Sequence, residues 1–554
     1  MNRQIPFFFF MMFFTFLFPN GVDAQISQKS TPPSVSQKII NDDFPTITTP
    51  APDVKRLLDE DAFTDKHGIA MRFAVSSEVK INLVEQGKWM RLSDGSSICR
   101  LAINSKNARA LILYYDEFSI PKGGKLFLYN DGKNQAIGAF TNQNNKNGGT
   151  FATEMIYGET TILEYYQPAG LNEKPYILIG EVSYVYRAAH HASQNKGFGG
   201  SDTCEVNVEC PEGNDWTQQA KGVARVIVKT GMSQVWCSGA LLNNTLQDHT
   251  PYFFTADHCG PNASANDYDN WIFYFRYQGS SCENPTSDTS FNSFTMVGAS
   301  KLAAAGGSGV LSDFKLLVLN ESIPLNYEPF YNGWSAINEP SPEGVTIHHP
   351  QGDIKKISTY TQPLISSNWG STPNTHWKVV WSETQTNWGV TEGGSSGSPI
   401  FSDEGLLVGH LTGGDASCSY LTGPDYYGKF SYSWDQIGGT ASSQLKPWLD
   451  PDNSGILKLD GLVSVNVVSP EKENIMIYPN PTEGQLFINF NDTFPERVNT
   501  VSVLDISGRK VIVKHIEADN SSILELNLSA LQSGVYFVVF DLKDSQQIIK
   551  KIIR

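Results

Sequence analysis

Short runs of apolar or alternating apolar and polar residues recur along the chain, and turn-forming residues separate them. Examples are residues 68–75, 109–115, 125–129, 485–490 and 535–540, which Asp, Gly, Asn or Pro bound on at least one side. Side chains on a β-strand point alternately to opposite faces, so short runs of this kind predict strands rather than long helices. The pattern therefore predicts a mainly β protein.

Two polar stretches interrupt this pattern and predict the domain organisation. Residues 189–203 and 463–473 are rich in turn-forming and charged residues, which is typical of exposed linkers. The stretches separate an N-terminal segment (25–196), a cysteine-bearing segment (197–462) and a C-terminal segment (474–554). In the N-terminal segment, residues 25–50 are expected to be a flexible leader and the β-rich pattern covers about residues 51–188. The size and strand pattern of the last segment predict a small β-sandwich. The chain shows no fixed-period repeat and no phosphate-binding or dinucleotide-binding loop.

The N-terminus has the layout of a signal peptide. Arg3 precedes a nearly unbroken apolar run over residues 6–19, and the small residue Ala24 closes the polar stretch that follows. The run is shorter than the roughly 20 residues that a membrane-spanning helix needs. We expect cleavage after Ala24, so that residues 1–24 form the signal peptide and the mature protein is exported and soluble.

Charge and cysteine usage narrow the class of protein further. The chain of 554 residues has a formal net charge of -16, which argues against a nucleic-acid partner because such a partner requires a basic face. Six of the seven cysteines lie between Cys204 and Cys418. In an exported chain this even set predicts three disulfides, and the CxxC pairs of structural zinc sites are absent. The seventh, Cys99, lies apart.

Residues 393–399 (Gly-Gly-Ser-Ser-Gly-Ser-Pro) are the strongest candidate for catalytic chemistry. Small neighbours leave the hydroxyl of Ser396 accessible, and glycine allows backbone N–H groups to converge on one point. The N–H groups of Gly394 and Ser396 would then form an oxyanion hole for an acyl-transfer intermediate. An ordinary Gly/Ser turn between two strands is the alternative.

A general base and an orienting acid would complete the site. Residues 255–259 (Thr-Ala-Asp-His-Cys) follow an apolar strand and place His258 at its end. Asp313 opens a buried apolar strand, where an unpaired carboxylate would be costly, so we expect it to pair with His258. The adjacent Asp257 is discounted because the side chains of sequence neighbours usually point apart. The chain order is therefore His258, Asp313, Ser396.

Residues 255–259, the Asp313 strand and residues 394–399 together resemble the trypsin-like serine proteases. More narrowly the chain resembles the bacterial lysyl endopeptidases, with matching phrases at residues 204–213, 347–350, 389–392 and 425–428. The similarity covers about residues 197–461. It implies a chymotrypsin-like double β-barrel, preceded by a β-rich propeptide (25–196). It also implies the disulfides Cys204–Cys418, Cys210–Cys282 and Cys237–Cys259.

The resemblance also implies a substrate pocket. Trypsin carries its pocket acid six residues before the nucleophile, where this chain has Val390. The lysyl endopeptidases carry the acid after the nucleophile, at the position of Asp425, with Asp415 as the rival. Trp369 matches a tryptophan that shapes the cleft. The family stacks a histidine on it where this chain has Thr412, which leaves the preference for lysine over arginine open.

Maturation follows from the same resemblance. Ser395 stands where trypsin has the aspartate that pairs with a new N-terminus, so that activation switch is not expected here. Lys196 is a lysine in an exposed linker directly before the cysteine-bearing segment. An enzyme that cuts after lysine could release its own propeptide there, and residues 25–196 would act as folding aid and inhibitor.

The C-terminal segment has a second resemblance. Residues 478–482 (Tyr-Pro-Asn-Pro-Thr), 503–509 and 528–537, with the basic tail after them, resemble the type IX secretion sorting domain of Bacteroidetes. This implies export across the outer membrane through the secretion machinery, and a secreted or cell-surface location. A carbohydrate-binding or cell-binding β-sandwich is the alternative.

The predicted function is that of a serine endopeptidase that cuts protein and peptide substrates after lysine, acts as a monomer and needs no cofactor. The histidine pairs His190-His191 and His348-His349 are expected in a linker and in packing, so no metal site is predicted. One alternative is an endopeptidase that prefers arginine or accepts both basic residues. The other is a surface adhesion or binding protein on an inactive protease scaffold.

Overall fold

A computed structural model of the chain provides the structure. It describes residues 30–36, 43–65, 70–146, 149–187, 200–285, 294–306, 311–463, 466–467, 475–489, 498–505, 509–516, 523–542 and 546–554. The predicted signal peptide, both processing residues, Ala24 and Lys196, and the pair His190-His191 lie outside these residues. Within these ranges, no helix has both the length and the apolar character that crossing a membrane requires.

The chain divides into two compact units. The first contains Met1–Pro324 and Asn332–Asp460, and the second contains Leu325–Tyr331 and Gly461–Arg554. The first unit includes an N-terminal segment (described residues 30–187) and a central segment (described residues 200–460). Strands dominate all parts, which confirms the mainly β class.

The N-terminal segment has three helices and eleven strands. The helices are α1 (Pro33–Ser36), α2 (Val54–Thr64) and α3 (Leu83–Gln86). The strands are β1 (Thr46–Thr48), β2 (Arg72–Asn82), β3 (Lys88–Arg91), β4 (Ser97–Asn104), β5 (Ala110–Ser119), β6 (Lys125–Asn130), β7 (Ala136–Phe140), β8 (Phe151–Ala152), β9 (Ile156–Tyr157), β10 (Thr160–Gln167) and β11 (Tyr176–Val185).

These strands form two sheets around one core. The first sheet has the order β1-β4-β10-β6-β7, with β3 paired to β4. The strands β2-β11-β5-β8 form one end of the second sheet, which continues from β2 into the central segment. Buried apolar side chains from both sheets, including Leu101, Leu113, Leu128 and Ile177, form the core between them. Burial of such side chains is the main stabilising contribution to this arrangement.

Helix α2 is an element that the strand pattern did not predict. The side chain of Asp53 accepts a hydrogen bond from the Arg56 N–H at 3.1 Å and caps the helix. On the exposed face Lys55 pairs with Asp59 one turn later. The local cap and charge spacing therefore favour a helix within a segment that is mainly β.

The described residues between 200 and 460 contain eighteen strands and four short α-helices. Seventeen of these strands belong to the first unit, and β20 belongs to the second. The strands are β12 (Val206–Asn207), β13 (Val223–Thr230), β14 (Ser233–Leu242), β15 (Tyr252–Ala256), β16 (Ile272–Phe275), β17 (Phe294–Val297), β18 (Ala299–Ala304), β19 (Phe314–Leu319), β20 (Phe330–Tyr331), β21 (Trp334–Ser335), β22 (Gly344–His348), β23 (Lys356–Tyr360), β24 (Ile365–Ser367), β25 (His376–Val380), β26 (Pro399–Ser402), β27 (Leu407–Gly414), β28 (Pro424–Lys429) and β29 (Lys458–Leu459). The helices are α4 (Thr217–Gly222), α5 (Ala265–Tyr268), α6 (Phe430–Asp435) and α7 (Lys446–Leu449).

The strands of the central segment belong mainly to two largely antiparallel sheets. Strands β13 to β19 belong to the first, where β14 pairs with β13 and β15, and β15 pairs with β19. The second has the order β12-β23-β22-β26-β27-β28-β25-β24. Side chains from both sheets, such as Phe254, Phe314, Ile347 and Phe401, form one shared core. This arrangement agrees with the expected double β-barrel.

The second unit is a two-layer β structure. Its strands are β30 (Leu462–Val463), which pairs with β20, and β31 (Asn466–Val467), β32 (Met476–Tyr478), β33 (Gln485–Asn489), β34 (Val498–Leu504), β35 (Lys510–His515), β36 (Ile523–Asn527), β37 (Val535–Leu542) and β38 (Gln546–Ile553). The sheets have the orders β31-β38-β37-β34-β35 and β32-β33-β36, and one core joins them. This confirms the small β-sandwich.

Candidate active site

The loop between β25 and β26 carries Ser396 and depends on two glycines. Gly394 and Gly397 have φ angles of +97° and +81°, a region that side chains other than glycine rarely adopt. A β-carbon on Gly397 would lie 2.2 Å from the Thr255 hydroxyl oxygen. Glycine at this position therefore lets the loop pack closely against the end of β15, which leads into His258.

Hydrogen bonds from β14 hold this loop in place. The main-chain N–H of Ser238 donates to the Ser396 carbonyl oxygen at 2.8 Å, and its hydroxyl donates to the Gly394 carbonyl oxygen at 2.9 Å. In the part of the chain that the structure describes, the N–H groups of Gly394 and Ser396 donate no hydrogen bond to a protein acceptor. Both donors are thus available to an oxyanion.

His258 and Asp313 form the pair that the sequence predicted. The Asp313 Oδ2 atom lies 2.6 Å from His258 Nδ1, and its Oδ1 accepts a hydrogen bond from the His258 main-chain N–H at 3.0 Å. Burial acts to raise the pKa of Asp313, but the attraction of His258 outweighs it and holds this pKa below its usual value. Burial acts to lower the pKa of His258, and Asp313 raises it above its usual value.

The geometry explains why Asp257 does not compete with Asp313 for His258. Asp257 lies 3.3 Å from the buried Lys315 ammonium group, so its carboxylate belongs to a different ion pair. Asp313 has a φ of +63°, which places it in the left-handed region at the entrance to β19. This backbone conformation lets both of its carboxylate oxygens face His258 while its carbonyl oxygen accepts from the Asp257 N–H at 2.6 Å.

The remaining ring nitrogen of His258 has no partner in this conformation. Nε2 is buried, and among the described residues it makes no hydrogen bond, so none joins it to the Ser396 hydroxyl. In free enzymes this contact is often long and shortens when substrate binds.

The three disulfides implied by the resemblance are present: Cys204–Cys418, Cys210–Cys282 and Cys237–Cys259. The third joins β14 to the turn that carries His258, and Cys259 Sγ lies 3.8 Å from the Ser396 carbonyl oxygen. The bridge thus fixes the histidine turn beside the serine loop. Cys99 is a buried free thiol whose pKa burial raises to about 12, so it is inert.

Asp425 contacts Thr391 and Ala416, two residues that line a cavity beside Ser396. Its side chain is buried, with Oδ2 accepting from Trp381 Nε1 and from the Thr391 hydroxyl, both at 2.7 Å. The Ala416 N–H approaches Oδ1 at 3.3 Å. Burial raises the pKa of Asp425 to about 6, although these donors oppose the shift. The rival Asp415 is exposed to solvent.

The cavity has a volume of about 250 Å³ and extends from Ser396 to residues that contact Asp425. Its lining from the central segment includes Ser396, together with Thr391 and Ala416, which both contact Asp425. Thr412 also lines it. A chain that places a scissile carbonyl at Ser396 could therefore extend a side chain towards Asp425 through this space.

Comparisons with known proteins agree with this geometry. Residues 198–428 match the family model described as the lysyl endopeptidase C-terminal domain. Most of the central segment is thus similar to this family domain. A lysyl endopeptidase of Pseudomonas aeruginosa is 28% identical over 397 residues, which cover 67% of this chain and 80% of that protein. The chain is accordingly a serine endopeptidase.

Residues 476–554 match the model of the secretion system C-terminal sorting domain. The chain is therefore an exported protein of the type IX secretion system, and its disulfides fit an extracellular environment. Interaction of the sorting domain with the secretion machinery follows from the same match.

Solved structures of serine proteases overlap the chain less extensively. The protease Anisep from Arthrobacter nicotinovorans is 17% identical, with a TM-score of 0.29, and the match covers 40% of this chain and 96% of that one. Neuropsin, a serine protease expressed in the limbic system of mouse brain, is 16% identical, with a TM-score of 0.29. The match covers 41% of this chain and 96% of neuropsin. Both TM-scores are low, so the family assignment rests on the sequence matches.

A buried histidine contacts Ser395, the residue at the position of trypsin's activation aspartate. His348 Nδ1 lies 2.7 Å from the Ser395 hydroxyl, and its Nε2 lies 3.1 Å from the Ser358 hydroxyl. Burial lowers the pKa of His348 to about 3, so the ring stays neutral. These bonds order the serine loop from within the domain. The described residues contain no group of side chains that could hold a metal ion.

Two buried histidines near the site were not identified from the sequence. His376 Nε2 lies 3.0 Å from the Thr412 hydroxyl, and its ring centroid lies 6.4 Å from that of Trp369. A histidine therefore does reach the neighbourhood of Trp369, but from β25 rather than from β27. His410 packs edge-on against Phe254 at 4.8 Å, and burial lowers its pKa to about 4. No motif marks either residue.

Proposed function

We propose that this protein hydrolyses peptide bonds on the carboxyl side of lysine, with Ser396, His258 and Asp313 as catalytic residues. The observation that supports it most strongly is the 2.6 Å contact between His258 and Asp313 beside a serine loop with two free N–H donors. An inactive binding scaffold would have no requirement for this combination.

The first chemical step is attack by the Ser396 hydroxyl on the scissile carbonyl carbon. His258 Nε2 accepts the serine proton, and Asp313 stabilises the imidazolium ion because its carboxylate faces Nδ1. The N–H groups of Gly394 and Ser396 stabilise the oxyanion, an effect worth about 3 kcal/mol per donor. His258 then gives its proton to the leaving amine, and water hydrolyses the acyl-enzyme by the reverse sequence of proton transfers.

Asp425 selects lysine by charge. Its burial makes an unpaired carboxylate unfavourable, so a substrate ammonium group that reaches the cavity floor relieves this penalty. The Trp381 and Thr391 donors fix the carboxylate so that it does not turn away from the cavity. A neutral side chain of the same length leaves the charge unpaired, which is the source of selectivity.

A serine-directed phosphonylating probe tests whether the site is active. We expect it to modify the processed protein once, on the peptide that contains Ser396, as identified by mass spectrometry. The His258→Ala variant should react much more slowly because the hydroxyl then lacks its base. Equal labelling of both proteins would contradict the assignment of His258 as the base.

The pH dependence of kcat/KM should differ between two substrates. Activity requires neutral His258 and is lost as pH falls through its pKa, which Asp313 raises. Lysine binding requires ionised Asp425 and is lost as pH falls below about 6. For a lysyl peptide, protonation of His258 and of Asp425 both lower activity, so log kcat/KM plotted against pH should have a limiting acid slope of about two. For a norleucyl peptide only His258 matters, so the slope should be about one.

The two profiles are measured with peptides that differ only in that residue. Equal acid slopes would mean that ionisation of Asp425 does not contribute to lysine binding. The Asp415→Asn variant provides the control, because this exposed carboxylate should leave both slopes unchanged.

Maturation should be autocatalytic at the Lys196–Gly197 bond. When the full chain is produced in a host without other lysine-cutting proteases, the Ser396→Ala variant should remain uncut at this bond. Intact mass and N-terminal sequencing measure the outcome. The exposed Ser442→Ala variant should be processed like the wild type. Processing of the Ser396→Ala chain to the same extent as the wild type would contradict self-cleavage.

A further inference from the structure

Strand β19, which follows Asp313, carries a lysine that solvent does not reach. Lys315 is fully buried, and its ammonium group lies 3.3 Å from the Asp257 carboxylate. In the antiparallel pair of β19 and β15, Lys315 lies opposite Thr255, close to the end of the strand that leads into His258. Burying a charge costs free energy unless other groups compensate for it, so the surroundings of this ammonium group indicate what it does.

The ammonium group holds the main chain of the histidine turn (residues 257–260). Lys315 Nζ donates hydrogen bonds to the carbonyl oxygen of Gly260 at 2.6 Å and to that of Asp257 at 3.2 Å. Asp313 holds the N–H groups of the same turn, since its carbonyl oxygen accepts from Asp257 and its Oδ1 accepts from His258. The main chain on both sides of the histidine is therefore fixed, by Asp313 through N–H groups and by Lys315 through carbonyl groups.

Two aromatic rings complete the surroundings of the ammonium group. Lys315 Nζ lies 5.5 Å from the centroid of the Tyr268 ring and 5.4 Å from that of the Trp271 ring. The Trp271 side chain is fully buried, and its Nε1 donates to the Lys229 carbonyl oxygen at 2.9 Å, which fixes the indole. Aromatic faces attract cations, so these rings favour a protonated lysine at this position.

Charged and titratable groups face Lys315 from four elements. They are Asp257 in the histidine turn, Asp313 at the entrance to β19, Lys301 on β18 and Tyr268 on α5. Burial lowers the pKa of Lys315 to about 8, although Asp257 and Asp313 act to raise it. Burial and Asp257 raise the pKa of Tyr268, so this phenol stays neutral. Lys315 is therefore charged at and below neutral pH.

The charge of Lys315 also acts on His258. Burial lowers the pKa of His258 and Asp313 raises it. Among the smaller influences, Lys315 lowers this pKa and Asp257 raises it. The nearby His410 adds no charge at neutral pH, because burial lowers its pKa to about 4. Lys315 thus offsets the second carboxylate beside the histidine, and Asp313 remains the carboxylate that governs the ring.

We propose that Lys315 is a positioning residue for His258. It holds the histidine turn through the carbonyl oxygens of Asp257 and Gly260, and it offsets the charge of Asp257 so that the ring responds to Asp313. The carboxylate that orients the ring and the cation that holds its turn then lie two residues apart in the chain. This inference rests on the proposed endopeptidase function and adds a residue outside the triad to it.

The test compares processed enzymes, each made as the full chain and treated with immobilised wild-type enzyme, which is then removed. The acid limb of kcat/KM is measured with a norleucyl peptide, whose cleavage does not require ionised Asp425. In Lys315→Met we expect the midpoint of this limb to rise by about 0.5 pH units or more, because Asp257 then raises the pKa of His258 without the opposing lysine. Maximal kcat for a lysyl peptide should fall by about 10-fold or more, with KM changed by less than about threefold, because the histidine turn loses two hydrogen bonds.

A second substitution separates the charge of Lys315 from its hydrogen bonds. In Lys315→Met combined with Asp257→Asn both charges are absent, so the acid midpoint should return to within about 0.3 pH units of the wild-type value. Maximal kcat should stay low, because the carbonyl oxygens of the turn still lack their donor. A lysine that only stabilised the fold would give no such return of the midpoint. Circular dichroism and the disulfide content check that both variants are folded.

The matched control is Lys429→Met, which removes a second buried lysine whose hydrogen bonds lie away from the histidine turn. Lys429 Nζ donates to Ser366 Oγ at 2.7 Å and to Asn338 Oδ1 at 3.0 Å, and it lies 4.0 Å from the centroid of the Trp377 ring. Burial lowers the pKa of Lys429 to about 8, as it does for Lys315. We expect Lys429→Met to keep the acid midpoint within about 0.2 pH units of the wild-type value.

A raised midpoint in Lys315→Met that returns in the double variant, with kcat low in both, supports the inference. Four results would each overturn it and leave the endopeptidase function intact: an unchanged midpoint in Lys315→Met, a kcat within about twofold of the wild type, a shift that persists in the double variant, or an equal shift with Lys429→Met. Failure of the wild-type enzyme to cut the lysyl peptide would instead contradict the proposed function.

Discussion

Replacement of Ser396 by alanine should lower kcat by about 10⁶-fold, with a much smaller effect on substrate binding. The substitution removes the nucleophile, and neither the oxyanion donors nor Asp425 can replace the covalent step. Binding should survive because the cavity floor and its charge remain. Burst and steady-state kinetics on a lysyl ester, with the substrate Kd measured separately for the variant, give both quantities.

The exposed Ser442 provides the control for this experiment. Among the described residues its hydroxyl hydrogen-bonds only to the Thr440 hydroxyl, at 3.0 Å, so Ser442→Ala should retain wild-type kinetics. Ser396→Ala blocks the proposed self-cleavage, so the processed variant is prepared by cutting its chain with a trace of wild-type enzyme. That trace is then inactivated with the phosphonylating probe. Residual cleavage above about one per cent of the wild-type rate would contradict the assignment of Ser396 as the nucleophile.

Replacement of Asp425 by asparagine should lower kcat/KM for lysyl substrates by about 10²–10⁴-fold, since the substrate ammonium would be buried without a counter-charge. Asparagine has nearly the same shape and keeps one oxygen acceptor for the Trp381 or Thr391 donors. The norleucyl peptide should lose far less, and its rate is measured in the same assay. Circular dichroism and the disulfide content check that the variant is folded.

The matched control is Asp415→Asn, which removes the rival carboxylate ten residues earlier. Because Asp415 is exposed, this change should alter lysyl cleavage by less than about threefold. A large loss with Asp415→Asn and little loss with Asp425→Asn would reverse the assignment of the pocket acid.

Local patterns predicted much of the fold. Short apolar runs between turn residues gave the positions of β5 and β6, and the sandwich strands β33 and β37, since strand burial leaves a direct trace in the sequence. Helix α2 was not predicted, because its stability comes from a cap and from surface charge pairs rather than from a long apolar period. The motif around His258 and the order of the site residues indicated a triad arrangement.

Contacts between distant parts of the chain could not be predicted in the same way. His376 reaches Thr412 only because β25 and β27 both pair with β28, and no local pattern records that proximity. The stacking of Phe73 on Trp236 joins residues from two segments that the sequence divides at a linker. The full pairing of the cysteines could be predicted only from the family resemblance, because six cysteines allow fifteen pairings.

The most direct measurement is digestion of a denatured protein by the processed enzyme, with every cut bond identified by mass spectrometry. The account predicts cuts confined to the carboxyl side of lysine, and their loss when Ser396→Ala protein is used. Frequent cuts after arginine would contradict the proposed selection of lysine by Asp425. They would mean that the pocket with Thr412 in place of the family's histidine also accepts arginine. The absence of any cut, from a processed sample with all three disulfides formed, would contradict the endopeptidase function itself.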